Sequence, residues 1–220
     1  MRRMHGLGFV VAVVVVAGVA LVGLAAGPAR AGSLVVLPRP GQIGISLSGL
    51  YGTFLDNGNV GGVFGSGPGM AVRLRYRMRY ERGIGLSFES HGFDPRSADS
   101  LPDLFAPGTR LAASDPFAYK RLNLFLSGVD FYQMFGTRTK TTKMLSVGGG
   151  IAHPTFALND GENEYPLSDG AYVSAGAGVE RFFWQSVAFD FGARYQAVFL
   201  GGKVNHDLQA SVGVIFYASL

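Results

Sequence analysis

The sequence has no cysteine, one tryptophan and few charged residues, and these shortages exclude several classes of protein. Without thiols there is no disulfide scaffold, no cysteine-ligated metal site and no lipoprotein acylation site. Charged residues make up 15% of the chain and hydrophobic residues 48%, so the chain can bury enough apolar surface to avoid disorder. The 33 glycines follow no three-residue period, which excludes a collagen-like chain. The 220 residues are typical of one domain with close backbone packing.

The first 31 residues have the pattern of a secretory signal peptide. A basic start, an apolar run and a small-residue cleavage pattern follow one another at Arg2-Arg3, Leu7 to Ala26, and Ala29-Arg30-Ala31. We predict cleavage after Ala31, which leaves residues 32 to 220 as the mature domain. The alternative is an uncleaved anchor helix, because the apolar run is long enough to cross a bilayer.

Signal cleavage also changes the net charge. The full chain carries 19 Lys and Arg against 15 Asp and Glu, but Arg2, Arg3 and Arg30 leave with the signal, so 16 remain against 15. The high isoelectric point therefore does not indicate a nucleic-acid-binding surface, and we expect no nucleic-acid partner.

Beyond the signal, apolar and polar residues alternate with period two in eight segments, and no stretch sustains a helical period. The apolar faces are Ile43, Ile45, Leu47 and Tyr51; Val72, Leu74, Tyr76, Met78 and Tyr80; Ile84, Leu86 and Phe88; Leu122, Leu124 and Leu126; Leu145, Val147 and Ile151; Val173, Ala175, Ala177 and Val179; Val187, Phe189, Phe191, Tyr195 and Phe199; and Leu208, Ala210, Val212, Val214, Phe216 and Leu220. The fourth segment loses this phase near Gly128, which predicts a bulge or bend. Eight strands can close into a barrel without free edges.

The polar face predicts which side of this barrel meets lipid. It is mostly glycine and serine, interrupted by Arg73, Arg75, Arg77 and Arg79 in the second segment. An arginine turned toward lipid would cost about 2 to 4 kcal/mol near the bilayer midplane, whereas small neighbours leave it room inside a narrow lumen. We therefore predict an all-β fold: an eight-stranded antiparallel up-and-down transmembrane β-barrel in a Gram-negative outer membrane. The alternative is a soluble barrel with its apolar face inside.

The connections alternate between long and short, as in outer-membrane barrels. Residues 55 to 69, 93 to 119 and 153 to 170 are predicted outer loops, residues 81 to 83, 136 to 142 and 184 to 186 are short turns, and the last outer loop, 200 to 205, is brief. Aromatic residues gather at the rim of the short turns and predict an interfacial girdle: Tyr80, Phe131, Tyr132, Phe135, Phe182 to Trp184, Phe216 and Tyr217.

On this strand count, loop alternation, charged interior and apolar last strand, residues 42 to 220 resemble the small eight-stranded outer-membrane barrels of the OmpA, OmpX and Ail type. The resemblance implies outer-membrane lipid as the surroundings and the outer-membrane assembly machinery as a partner. The chain departs from the family at its last residue. Leu220 stands where these barrels usually end in an aromatic residue, which weakens the match to the assembly signal.

We predict that charged side chains plug the lumen. A three-residue turn at 81 to 83 would set Arg75 opposite Glu89 and Arg73 opposite His91. The predicted network consists of Arg73, Arg75, Arg77, Arg79, Glu89, Glu180, Asp190 and Arg194. The alternative is a small channel for anionic or apolar solutes, because rings of arginine favour anions.

No catalytic, metal or cofactor site is predicted. Ser87, Glu89 and His91 share one strand face, but side chains two residues apart on a strand are about 6 to 7 Å apart, too far for a relay. A lipid-modifying outer-membrane enzyme, the second alternative, would need a partner from another strand. The third outer loop, with His153, Asp160, Glu162, Glu164 and Asp169, lacks the spacing of a calcium site.

The loop from Phe93 to Tyr119 contains Leu101, Leu104, Phe105 and Leu111, which makes it too apolar for a spacer. We predict that it packs over the barrel mouth or docks an extracellular ligand. The predicted role of the protein is therefore structural or interactive.

Overall fold

A computed structural model describes residues 40–55, 60–79, 81–96, 100–106, 108–159 and 164–219. The predicted signal peptide, Tyr80 and Leu220 lie outside these residues. The described chain forms eight long strands, β1 (Gln42–Phe54), β2 (Ser66–Arg79), β3 (Arg82–Phe93), β6 (Tyr119–Phe135), β7 (Thr141–Leu158), β9 (Gly170–Phe182), β10 (Val187–Leu200) and β11 (Lys203–Ser219), and three short ones, β4 (Ser100–Pro102), β5 (Arg110–Ala112) and β8 (Glu164–Pro166). Within the described ranges, no helix is long and apolar enough to cross a membrane.

The eight long strands form a closed antiparallel barrel in the order β6-β3-β2-β1-β11-β10-β9-β7, and β7 pairs back onto β6. The first strand pairs along its whole length with the last, from Gln42 opposite Ser219 to Phe54 opposite Asp207. This confirms the predicted up-and-down barrel. We call the end with the short connections the turn end and the opposite end, where the long loops lie, the loop end.

The outer wall is apolar and exposed. Leu47, Val147 and Phe216 are 61%, 58% and 57% exposed, whereas the alternating inward residues are mostly buried. A soluble barrel would reverse this pattern, so the predicted outward direction of the apolar face is confirmed for seven of the eight segments.

Strand β6 is the exception, and two predictions about it were wrong. Leu122, Leu124 and Leu126 point inward and are 0 to 1% exposed, while Phe125 and Phe131 face outward. The alternation continues through Gly128 without a bulge, and β6 keeps its register with β7 from Arg121 to Phe135. The leucines line the lumen rather than face lipid. The pattern did not show this, because both faces of this strand are apolar near the loop end.

The loops differ from the predicted ones in their bounds. β2 begins at Ser66 and β7 continues to Leu158, so the first and third outer loops are shorter than predicted. The second outer loop carries its own hairpin, in which β4 pairs with β5. The last connection is the two-residue turn Gly201-Gly202, with φ of 57° and 75°, a conformation that favours glycine at both positions.

The aromatic girdle is also smaller than predicted. Phe131, Phe135 and Trp184 are exposed on the outer wall, at 54%, 47% and 69%. Tyr132, Phe182 and Tyr217 instead point inward and are at most 5% exposed. The two tyrosines therefore belong to the lumen, where their hydroxyls find polar partners.

Candidate functional site

The lumen near the turn end holds four buried arginines and four buried carboxylates. Alternation along β2 turns Arg73, Arg75 and Arg77 inward, and Arg194 comes from β10. The carboxylates come from β3, β6, β9 and β10 as Glu89, Asp130, Glu180 and Asp190. Each of these eight residues is at most 8% exposed, so the charges are removed from water together.

Glu180 is the centre of one cluster, close to the turn end. It accepts hydrogen bonds from Arg75 and, at 3.0 Å, from Nη2 of Arg77. The Tyr217 hydroxyl donates to Oε1 of Glu180 at 2.8 Å, and the Arg77 guanidinium lies 4.9 Å from the centre of the Tyr217 ring. Asp190 lies 3.6 Å from Nη2 of Arg75. One carboxylate thus joins two arginines to a tyrosine.

Arg194 links a second cluster, nearer the middle of the barrel. It donates to both oxygens of Asp130, at 3.2 and 3.0 Å, and to Oε1 of Glu89 at 3.4 Å. Glu89 also accepts from Arg73 at 2.8 Å and from the Gln196 amide at 3.1 Å. The Tyr132 hydroxyl donates to Asp130 at 3.1 Å. The two clusters meet where Arg75 stacks on the Tyr132 ring, 4.2 Å from its centre.

Glycines make room for this second cluster. Gly148 lies opposite Asp130 in the β6–β7 pairing, and a Cβ at Gly148 would collide with Oδ1 of Asp130. A Cβ at Gly128 would collide with the Tyr172 hydroxyl in the same way. Gly148 therefore leaves room for the bidentate ion pair of Asp130 with Arg194, and Gly128 leaves room for the Tyr172 hydroxyl beside it.

Three details of the predicted network were wrong. Arg73 lies opposite Ser87 and Arg75 opposite Gly85, not opposite His91 and Glu89. Arg79 at the end of β2 lies opposite Arg82 at the start of β3, so the connection is shorter than the predicted three-residue turn, and the register shifts between Arg77 and Arg79. Arg73 therefore reaches Glu89 diagonally rather than directly across.

Arg79 is exposed at the end of β2 and forms no ion pair with the described residues, so it does not belong to the network. The prediction also missed Asp130, because the assumed change of phase in β6 hid its inward position. Continuous alternation puts Asp130 on the same face as Leu122, and the cost of a carboxylate in lipid would then have indicated that this face points inward.

The loop half of the lumen is apolar. A cluster of buried residues fills it: Phe54, Val60, Val63, Phe64, Phe93, Tyr119, Leu122, Leu124, Leu126, Ala152, Phe156, Leu158, Tyr172, Val198 and Leu200. Between this apolar cluster and the ion pairs, His91, Asp207 and Gln209 are 0 to 2% exposed. A cavity of about 30 Å³ among Arg73, Arg75 and Arg194 is enough for about one water molecule.

The long loops form a folded cap over the apolar cluster. Leu101 and Ala118 are buried, and Leu104 packs against the cluster. The Tyr119 hydroxyl donates to Asp103 at 3.0 Å and accepts from the Leu104 amide at 2.8 Å. The second outer loop therefore packs over the barrel mouth, as predicted for residues 93 to 119.

The remaining candidate residues have structural partners. The Ser87 hydroxyl lies 3.4 Å from that of Tyr172, whereas Nε2 of His91 lies 3.0 Å from Nε2 of Gln209, so Ser87 and His91 are not joined in a relay. On the third loop, His153 pairs with Asp169 at 2.8 Å and Glu164 accepts from Asn123 at 2.9 Å. Asp160 and Glu162 lie outside the described residues. No group of three potential metal ligands occurs among the residues that are described.

Solved structures share this fold. Neisserial surface protein A superposes with a TM-score of 0.53 at 14% identity, over 80% of this chain and 95% of that chain. OprG from Pseudomonas aeruginosa superposes with a TM-score of 0.53 at 12% identity, over 84% of this chain and 100% of that chain. No family model and no characterised protein matches by sequence. The chain therefore has the fold of the small eight-stranded outer-membrane barrels, and its exposed apolar wall fits the outer-membrane location that this fold indicates.

Proposed function

We propose that the chain is a closed outer-membrane barrel whose folded cap presents an interaction surface to the cell exterior. The observation that carries this proposal is the contrast within the second outer loop. Phe105 and Phe117 are 63% and 64% exposed, although Leu101 in the same loop is 3% exposed. Exposed aromatic side chains held on an ordered surface are typical of the anchor residues of protein interfaces.

The cap is fixed by hydrogen bonds, which favours binding over a spacer role. Arg96 donates to the carbonyls of Phe64 and Phe54, both at 3.2 Å, and so ties the second loop to the first. The Asn159 amide donates to the carbonyl of Ala113 at 3.0 Å and so ties it to the third. A preformed surface loses less conformational entropy when a partner binds.

The filled lumen favours this role over a channel. Ion pairs occupy the turn half and the apolar cluster occupies the loop half, so a solute would have to displace both in series. Eight-stranded barrels enclose a space that side chains can fill. The enzyme alternative is disfavoured by the separate partners of Ser87 and His91.

The test compares cells that display the native chain with cells that display the double variant Phe105→Ser/Phe117→Ser. Binding to a panel of purified matrix and serum proteins is measured, and heat-modifiable gel migration shows that the barrel is folded. We expect the double variant to bind at least about tenfold more weakly, because truncating anchor residues costs about 2 kcal/mol or more.

The matched control is Arg110→Gln, an exposed change on the same outer loop that removes no aromatic ring. It should retain native binding. Equal binding by native cells and cells lacking the protein, or by native and double-variant cells, would contradict an interaction role for the cap.

A further inference from the structure

The outer wall has an apolar groove near the turn end, in the sector formed by β2, β3, β6 and β7. Its volume is about 250 Å³, and its lining includes Met78, Arg82, Phe131, Gln133, Leu145 and Val147. Phe131, Leu145 and Val147 are more than half exposed, so the groove opens onto the lipid-facing wall. A groove in this position is bounded by hydrocarbon on its open side.

The polar end of the groove is its turn end. Arg82 begins β3 and lies opposite Gln133, which lies opposite Leu145 on β7. Lys143 is exposed two residues before Leu145 and so shares its outward face. Arg82 and Lys143 therefore stand on the two strands that flank β6, with the Gln133 amide between them. Within the described residues, no carboxylate lies within 4 Å of either cation.

Positive charge is concentrated around this groove. The exposed cations of the turn end are Arg79, Arg82, Arg138, Lys140, Lys143 and Arg181, on β2, β3, β7, β9 and the β6–β7 turn. Glu81 is the exposed carboxylate that the described residues place at this end. The opposite side of the rim, where β1, β10 and β11 end, has no lysine or arginine among its described residues.

We propose that the groove is a binding site for an anionic phospholipid of the leaflet at the turn end, with one acyl chain in the groove and the phosphate between Arg82 and Lys143. The two strands are about 10 Å apart, a span that two long basic side chains can bridge to one phosphate. The neighbouring cations add further positive potential, which attracts an anionic headgroup more strongly than a zwitterionic one. The site is independent of the proposed role of the cap.

The experiment measures lipid selectivity at two positions of the full mature chain in phospholipid vesicles. Trp184→Phe removes the single tryptophan, and a new one is introduced either beside the groove, as Val129→Trp on β6, or across the barrel, as Val212→Trp on β11. Quenching by brominated phosphatidylglycerol and by brominated phosphatidylcholine gives the ratio of their binding constants at each reporter. Heat-modifiable migration shows that every variant is folded.

The groove reporter should prefer phosphatidylglycerol at least about fivefold, because one basic residue near an anionic headgroup changes binding by about that factor. The distant reporter should show a ratio of about one. Arg82→Gln and Lys143→Gln should each lower the preference at the groove, and the double change should remove it.

Lys203→Gln is the matched control, because Lys203 is an exposed cation at the loop end. It should leave the preference unchanged. Equal ratios at the two reporters would show an unselective lipid annulus, and a preference that survives the double change at Arg82 and Lys143 would show that the phosphate is not held there. Either result would overturn the proposal.

Discussion

At the residue scale, the buried Glu180 carboxylate offsets the charge of two arginines and accepts a hydrogen bond from a tyrosine hydroxyl. We predict that Glu180→Gln lowers the free energy of unfolding by about 3 to 5 kcal/mol, because Arg75 and Arg77 would remain buried with one carboxylate fewer. Urea unfolding in phospholipid vesicles measures the change.

Glu81→Gln is the matched control for Glu180→Gln, since Glu81 is exposed in the β2–β3 turn. Its free energy of unfolding should stay within about 0.5 kcal/mol of that of the native chain. If Glu180→Gln unfolded at the same urea concentration as the control, the buried ion pairs would not stabilise the barrel.

The sequence was sufficient to place Arg73, Arg75 and Arg77 in the lumen, because a period-two pattern and the cost of arginine in lipid leave one choice of face. It could not supply their partners. Which carboxylate each arginine meets depends on the strand register, and a connection shorter than the predicted three-residue turn, with a shift at Arg77, moved every β2–β3 pairing.

At the element scale, β6 shows where the alternation of residues along a strand no longer predicts which face points into the lumen. Phe125 and Val129 face lipid, and Leu124 and Leu126 face the lumen, so both faces are apolar near the loop end. A hydrophobic pattern predicts a face only when the two faces differ in polarity. The apolar loop half of the lumen was therefore missed, and with it the inward position of Asp130.

The β4–β5 hairpin should be dispensable for the barrel but not for the cap. β4 and β5 pair only with each other among the described strands. Replacing residues 99 to 113 with a short glycine-serine linker should preserve heat-modifiable migration and lower the free energy of unfolding by about 2 kcal/mol, through the lost burial of Leu101. Loss of heat-modifiable migration would show instead that the hairpin is needed for the barrel to fold.

At the scale of the whole molecule, the outward direction of the apolar wall can be tested by charge. Val212 and Val204 lie on the same outward face of β11, 54% and 40% exposed, but Val204 is next to the Gly201-Gly202 turn. Val212→Arg should destabilise the barrel in vesicles by about 2 to 4 kcal/mol and Val204→Arg by about 0 to 1 kcal/mol. Equal effects would contradict a membrane that covers the middle of the wall.

The two halves of the lumen are filled by different kinds of side chain. Leu122, Leu124 and Phe156 fill the loop half beneath the cap, and the ion pairs around Glu180 and Arg194 fill the turn half. We therefore predict no steady conductance from the native chain in planar bilayers. The chain without its β4–β5 hairpin should also show no steady conductance, because the apolar cluster below the hairpin remains. Glu180→Gln should show none for the same reason.

A steady current from the native chain would show that these side chains do not close the lumen. A current that appears only when the hairpin is removed would show that the cap closes it alone.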